Sequence, residues 1–198
     1  THYGSVEGTL SMLTWAKGGT MAGDEGRAAW ANSAVADSIR FMSDCVNKYG
    51  ISPKACMTTV DCLDMQEMFH SGKLSMAFDW SFAYSRNEFN YTSVEEYGFA
   101  PIPGDTGYSD NFSNGWSWGI PKNARQKDLA WSFIEWFESR DIQIEHAQNE
   151  GSLPTRVDAI HDPGFAAEGF APQFIEDLTQ YGRPMDQFIY YKSALETL

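Results

Sequence analysis

NFSNGWSWGIPKNARQKDLAWSFIEWFES, Asn111 to Ser139, holds the two signals that decide how this chain is read. Its second half is amphipathic: Leu129, Phe133, Trp136 and Phe137 fall on one stripe at helical spacing. Its first half, Gly115-Trp116-Ser117-Trp118-Gly119, fits G-x-S-x-G, the pattern of a serine nucleophile elbow. An elbow needs a strand, a sharp turn at the serine and a helix that starts at once. Here a strand is predicted over Gly115 to Pro121, and the helix cannot begin until about Gln126, too late for an elbow. Asp141 with His146, or Asp158 with His161, would complete a triad on paper, but such pairs arise by chance in so acidic a chain. Ser117 therefore reads as a spacer between two aromatic rings. An α/β serine hydrolase is kept only as an alternative.

Strands and helices alternate outward from this stretch, which makes the fold class α/β. Asn32 caps a helix in which Val35, Ile39, Met42, Val46 and Tyr49 recur at steps of four and three, stopped by Gly50. A second helix runs from about Thr59 to His70, with Leu63 and Met68 or Phe69 inward and Gly72 as its stop. Lys73 to Trp80 alternates like a strand, placing Leu74, Met76, Phe78 and Trp80 on one face. Ser81 to Tyr91 reads as a short helix, and Glu96 to Gly104 as a short strand ended by Pro101 and Pro103. Asp141 to Gly151 is a further helix, Ser152 to Ile160 a turn, and Pro172 to Gly182 and Tyr190 to Leu198 two more helical patterns.

The 198 residues suffice for one large domain or two small ones, with a core that needs no staples. A net charge of −13 argues against nucleic acid and against an anionic membrane surface. It permits neutral polar solutes and cationic ones. No apolar run approaches the roughly 18 residues of a membrane span. Cys45, Cys56 and Cys62 fit no zinc pattern, and their odd number allows at most one bridge, Cys45–Cys56 or Cys56–Cys62. The four histidines, His2, His70, His146 and His161, are scattered, so no metal site is expected. No cofactor is expected either, since Ala16 to Gly26 is glycine-rich but lacks the G-K-[ST] ending of a phosphate loop. The opening THYGSVEGTL reads as the middle of a structured segment, so a truncated product is expected.

Seven tryptophans need either a core or a ligand. Trp80 closes a predicted strand beside Asp79, and Trp116 opens another after a glycine-containing loop. Strand ends are where open α/β sheets take ligands. An indole covers the apolar face of a pyranose, while a neighbouring carboxylate accepts hydrogen bonds from its hydroxyls. Trp131 and Trp136, on the helix, read as core or subunit contact.

The ordered set Glu67 to Phe82 (EMFHSGKLSMAFDWSF), Tyr97 to Asp105 (YGFAPIPGD), Asn114 to Ser139 and Gly151 to Pro163 (GSLPTRVDAIHDP) resembles the family 1 extracellular solute-binding proteins. These are receptors of ABC sugar importers, of the maltose-binding type. The matching positions are Phe69, Gly72-Lys73, Met76-Ala77 and Trp80, then GFAPIP, then Asn114-Gly115 in place of two glycines and the Ile-Pro-Lys that follows, then Leu153 to Arg156. LTWAKGG near the start and Arg183 to Leu198 at the end fit as well.

The resemblance implies a type II periplasmic-binding-protein-like lobe, a mixed sheet flanked by helices, with the N-terminal lobe largely absent. It divides the chain into a C-lobe core (1–103), a segment that packs on the N-lobe of the intact receptor (104–139) and C-lobe helices (140–198). It implies a non-enzymatic receptor for a carbohydrate in the periplasm or outside the cell, lipid-anchored in a monoderm, whose partners are ABC permease subunits. Cut from its other lobe, the chain is expected to dimerise or to rearrange over the exposed patch. Carried over, the solute contacts are Trp80 and Trp116, with Arg156 and Trp15 behind them and Tyr84 and Tyr190 looser still. Asp79 is added on its own chemistry, and it keeps open a polyamine or other cationic solute. Trp118 is expected to face away from Trp116.

Overall fold

The computed structural model describes residues 4–23, 27–57, 62–84, 98–105, 107–167, 169 and 171–185. The chain divides into two compact units. Unit one comprises Thr1–Asp79, Ala100–Asn114 and Asp177–Leu198, and unit two Trp80–Phe99 and Gly115–Glu176. The helices are α1 (Gly4–Ala16), α2 (Ser33–Asn47), α3 (Cys62–His70), α4 (Lys127–Phe137), α5 (Arg140–Glu150), α6 (Val157–Ile160), α7 (Pro163–Ala166) and α8 (Ala171–Tyr181). Strand β1 (Pro103–Gly104) pairs antiparallel with β2 (Gly107–Tyr108), and β3 (Asn111–Ser113) pairs parallel with β4 (Gly182–Pro184).

Unit one is built on α1 against α2. Leu10, Met21 and Val35 form its buried cluster, with Trp30 and Met42 packed on the edge. Asn32 both starts α2 and ties down the loop before it. Its Oδ1 accepts from the Val35 amide at 3.0 Å, while its Nδ2 donates to the carbonyls of Ala29 (2.6 Å) and Thr20 (3.0 Å). Glycine is required at position 19: a Cβ there would collide with the Ala34 Cβ and sit 3.0 Å from the Thr14 Cγ2. The close approach of α1 and α2 rotates α2 from its expected orientation. Val35, Ser38 and Cys45 face inward, while Ile39 and Tyr49 are exposed. Small side chains let the backbones meet, so the largest apolar residues do not set the buried stripe. Cys45 is a buried free thiol, which removes the Cys45–Cys56 pairing. The side chains of Cys56, Cys62 and Leu63 lie outside the described residues.

Two expected strands do not form. Residues 73–80 run without strand pairing among the described residues, and Met76 is exposed. Residues 114–121 likewise run without strand pairing among the described residues. Alternation records which faces could be buried, but a strand also needs a neighbour for its backbone groups. Of the strand expected over Glu96 to Gly104, only β1 at its last two residues forms among the described residues, and Glu96 and Tyr97 lie outside them. The helix expected over Ser81 to Tyr91 is a 3-10 turn at Ser81–Tyr84, with its remainder outside the described residues. The helical pattern at Tyr190 to Leu198 also lies outside them. The expected turn over Ser152 to Ile160 folds as a loop followed by the short helix α6.

In unit two, α5 ends where Gly151 takes a left-handed φ of 71° and its N–H returns to the Ala147 carbonyl at 2.7 Å. Asp162 caps α7, accepting from the amides of Gly164 (2.9 Å) and Phe165 (3.2 Å), and it pairs with Arg140. The Phe165 and Gly164 amides, with the Arg140 guanidinium, hold its carboxyl below the usual range. Ala159 and Phe165 are the buried apolar residues of α6 and α7.

Unit one holds the opposite case. Asp177 is buried, its Oδ2 accepts from the Asn111 Nδ2, and its Oδ1 has no partner. Burial raises its pKa, and the Asn111 bond opposes that only in part. A raised carboxyl pKa stabilises the fold in acid, and that contribution is lost as pH rises through the folded-state value. Thermal melts from about pH 4, the ordinary aspartate range, up to about pH 7 should show wild type losing ground to Asp177→Asn, which keeps the acceptor for Asn111. A difference that stays flat with pH would show that Asp177 titrates normally. Asn32→Ala is expected to lower the unfolding free energy by about 1 kcal/mol or more, measured by denaturant titration.

Candidate functional site

The Asp79–Trp80 stretch is delivered by the end of α3. Gly72 adopts φ 75°, and the N–H groups of Gly72 and Lys73 return to the carbonyls of Phe69 and Met68 at 2.9 Å, which closes the helix. The chain then runs to Asp79, whose Oδ1 accepts from Gln66 Nε2 at 2.8 Å. Gln66 is fully buried in the middle of α3. Trp80 opens the 3-10 turn, its carbonyl accepting from the Ala83 amide at 3.1 Å. Its half-buried ring lies parallel to Phe82, 6.3 Å between centroids and 9° between planes. Tyr84 ends the same turn, and its side chain lies outside the described residues, as does Tyr190.

Trp116 stands apart. Its relative exposure is 101%, so it packs against no other group and is not brought against Trp80. Trp118 turns the other way, edge-on to Phe133 at 5.4 Å and to Phe137 at 5.2 Å. Phe137 in turn meets His146 at 5.1 Å. Beside this cluster lies an open groove of about 350 Å³ lined by Trp118, Ile120, Pro121, Leu129, Phe133 and Ile134. Helix α4 buries none of its residues, and Leu129, Trp131, Phe133 and Trp136 are all exposed. Ser117 is exposed beyond the end of β3 at Ser113, not at a turn leading straight into a helix, and α4 begins only at Lys127. The elbow geometry is absent there.

The remaining candidates are engaged by their own surroundings. Arg156 makes two 2.9 Å bonds to Asp158 and reaches the Glu138 carbonyl at 3.4 Å. The Asp158 hydrogen bond keeps its guanidinium firmly protonated. The turn that carries it is held by Gln143, whose Oε1 accepts from the Thr155 amide at 3.0 Å and whose Nε2 donates to Glu138 at 3.1 Å. Trp15 is only 6% exposed, and the Arg183 guanidinium sits 4.6 Å over its ring while bonding Asp110 at 2.9 Å. Gln66 and Gln143 carry no motif in the sequence, and Arg183 only opens the C-terminal match, with nothing there to point to Trp15. No spacing rule singles out a glutamine inside a helix or an arginine far along the chain. Among the described residues, no group of three His, Cys, Asp or Glu side chains could hold a metal ion. None of their helices is long and apolar enough to cross a membrane.

Comparison with known proteins places this geometry. The chain superimposes on maltose-bound MalE3 of T. maritima with a TM-score of 0.79 and 23% identity, covering 94% of this chain and 49% of that one. It superimposes on a solute-binding protein of Thermotoga lettingae bound with α-D-tagatose with a TM-score of 0.80 and 22% identity, covering 96% and 48%. These likenesses show the fold, an α/β lobe of the type II periplasmic-binding-protein kind, matched over about half of each solved chain. A curated relative, the probable amino-acid ABC transporter periplasmic-binding protein y4oP of Sinorhizobium fredii, is 25% identical over 167 residues, 79% of this chain and 36% of that protein. The family described as bacterial extracellular solute-binding protein matches residues 1–172. With most of its length matched, this chain belongs to the bacterial extracellular solute-binding protein family.

Proposed function

We propose that this chain is one lobe of the solute-binding component of an ABC importer, that its solute is a carbohydrate, and that it binds without catalysing a reaction. The observation that carries the reading is Trp80: a half-buried indole, aligned with Phe82, directly following a carboxylate oriented by a buried amide. A flat apolar ring suits the C–H face of a sugar, and a carboxylate accepts hydrogen bonds from its hydroxyls. Sugar-bound relatives of the same fold support it. The permease would be the membrane partner, and the compartment periplasmic or extracellular.

A second reading is a cationic or amino-bearing solute. It is favoured by Asp79, by the net charge of −13 and by the curated relative described as a probable amino-acid binder. Titrating the intact receptor with maltose, D-tagatose and putrescine, followed by tryptophan fluorescence, separates the two. A saturable shift with a sugar, weakened at least tenfold in Trp80→Ala (about 1.4 kcal/mol), is the expected result. Saturation by putrescine alone would move the assignment to the cationic reading.

The chain spans about half the length of the solved structures it matches. Gly104 to Ser139, with the exposed face of α4, is proposed to pack on the missing lobe, a homodimer being the substitute when that lobe is absent. The isolated chain should then bind a hydrophobic dye and self-associate, and its tryptophan emission should shift to shorter wavelength in the intact receptor. Equal dye binding by both forms would mean that the α4 face stays open to solvent.

A further inference from the structure

We infer that Gln66 is a positioning residue that fixes the Asp79 carboxylate for hydrogen-bond donors of the solute; this rests on the reading in which Asp79 meets the solute. Gln66 has no exposed surface, and a carboxamide taken out of water costs free energy unless its groups are bonded. Only half of that condition is met. Nε2 donates to Asp79 at 2.8 Å, while Oε1 has no partner. A methionine would fill the same volume without stranding an acceptor. What the amide provides, and an apolar side chain cannot, is a charge-assisted bond to a carboxylate 13 residues further along the chain.

The direction of that bond is set by chemistry. Turning the amide over would place Oε1 against a carboxylate oxygen, two acceptors facing each other. Gln66 thus offers Asp79 an N–H, and the carboxylate orientation follows from the rigid middle of α3. A carboxylate has about four lone-pair directions, more than one donor can occupy. Gln66 fixes the plane in which the others lie. The chemistry recognised is that of O–H or N–H donors, hydroxyls in a sugar or ammonium in an amine. Orienting the acceptor before binding lowers the ordering cost of the contact.

A tether holding residues 73–79 to α3 would use the same hydrogen bond, so the test must separate tethering from positioning. Asp79→Asn keeps an acceptor for Gln66 but loses the charge. Gln66→Met removes the donor and fills the space. Both variants and the double variant are made in the intact receptor and titrated with maltose, D-tagatose and putrescine, with thermal melts alongside. The expected result is an affinity loss of about tenfold in each single variant with melting temperature held or raised. The double variant should lose no more than Asp79→Asn alone, because the two residues act as one unit. Unchanged affinity in Gln66→Met, or losses that multiply in the double variant, would overturn the positioning role while leaving the receptor reading intact. Silence of the wild type toward all three probes would overturn the receptor reading itself, and the positioning role with it. Binding of putrescine in place of the sugars, with the same non-additive pattern, would sustain Gln66 and identify ammonium as the donor.

Discussion

An apolar helix face that buries none of its residues is the constraint from which much of unit two follows. Helix α4 carries Leu129, Trp131, Phe133, Ile134, Trp136 and Phe137, yet buries none of them. Amphipathic helices form because one stripe leaves water, and at roughly 25 cal/mol per Å² of apolar surface such a stripe is costly to leave exposed. The chain meets this demand in part by turning Trp118 onto Phe133 and Phe137. Trp118, Ile120 and Pro121 then line one groove with Leu129, Phe133 and Ile134 of α4. A groove and several exposed aromatic side chains remain beside that contact.

Unit one solves the opposite problem. Its apolar cluster is small, and close approach substitutes for bulk. Gly19 fits against Ala34 and Thr14, and Ser38 returns its hydroxyl to the Ala34 carbonyl at 2.7 Å. Dense packing of small groups buries polar atoms as a by-product. Ser11, Thr14, Ser109 and Asp177 each hold a buried side-chain oxygen without a protein partner. A unit stabilised this way is sensitive to protonation and to single methyl groups, since its margins are set by contacts of a few tenths of an ångström.

The helix boundaries were legible in the sequence because caps are local. Asn32, Gly72 and Gly151 act on backbone groups three or four residues away, within reach of a pattern search. The orientation of α2 was legible only in part: Val35 and Met42 pack inward as their spacing suggests, while Ser38 and Cys45 turn in where Ile39 and Tyr49 were expected, as Gly19 and Ala34 meet closely. The strands were not legible. Residues 73–80 and 114–121 alternate as strands do, yet β3 pairs with β4, some 70 residues distant, a choice that no local periodicity encodes. The candidate site shows the same division. Trp80 and Asp79 stand out by position and composition. Gln66 becomes visible only once α3 and the segment after it are folded side by side. Trp15 looked available for a ligand until Arg183 arrived over its ring from the far end of the chain.

The two tryptophans that head the candidate site are not equivalent, and the difference is one of prior order. Trp80 is held by a 3-10 turn on its own backbone and by the parallel ring of Phe82. A solute that stacks on it finds the ring already placed. Trp116 is bare on all sides and sits on an unpaired segment. Immobilising such a side chain costs about 0.5–1.5 kcal/mol, and the backbone that bears it must be ordered as well. A sugar covering one face of the indole returns only part of its burial energy, whereas a protein surface can enclose the ring. The energetics therefore separate two residues that position along the chain makes look like a matched pair. Trp80 offers a ring already ordered by its turn and by Phe82, whereas Trp116 would gain most from a cover that encloses it on every side.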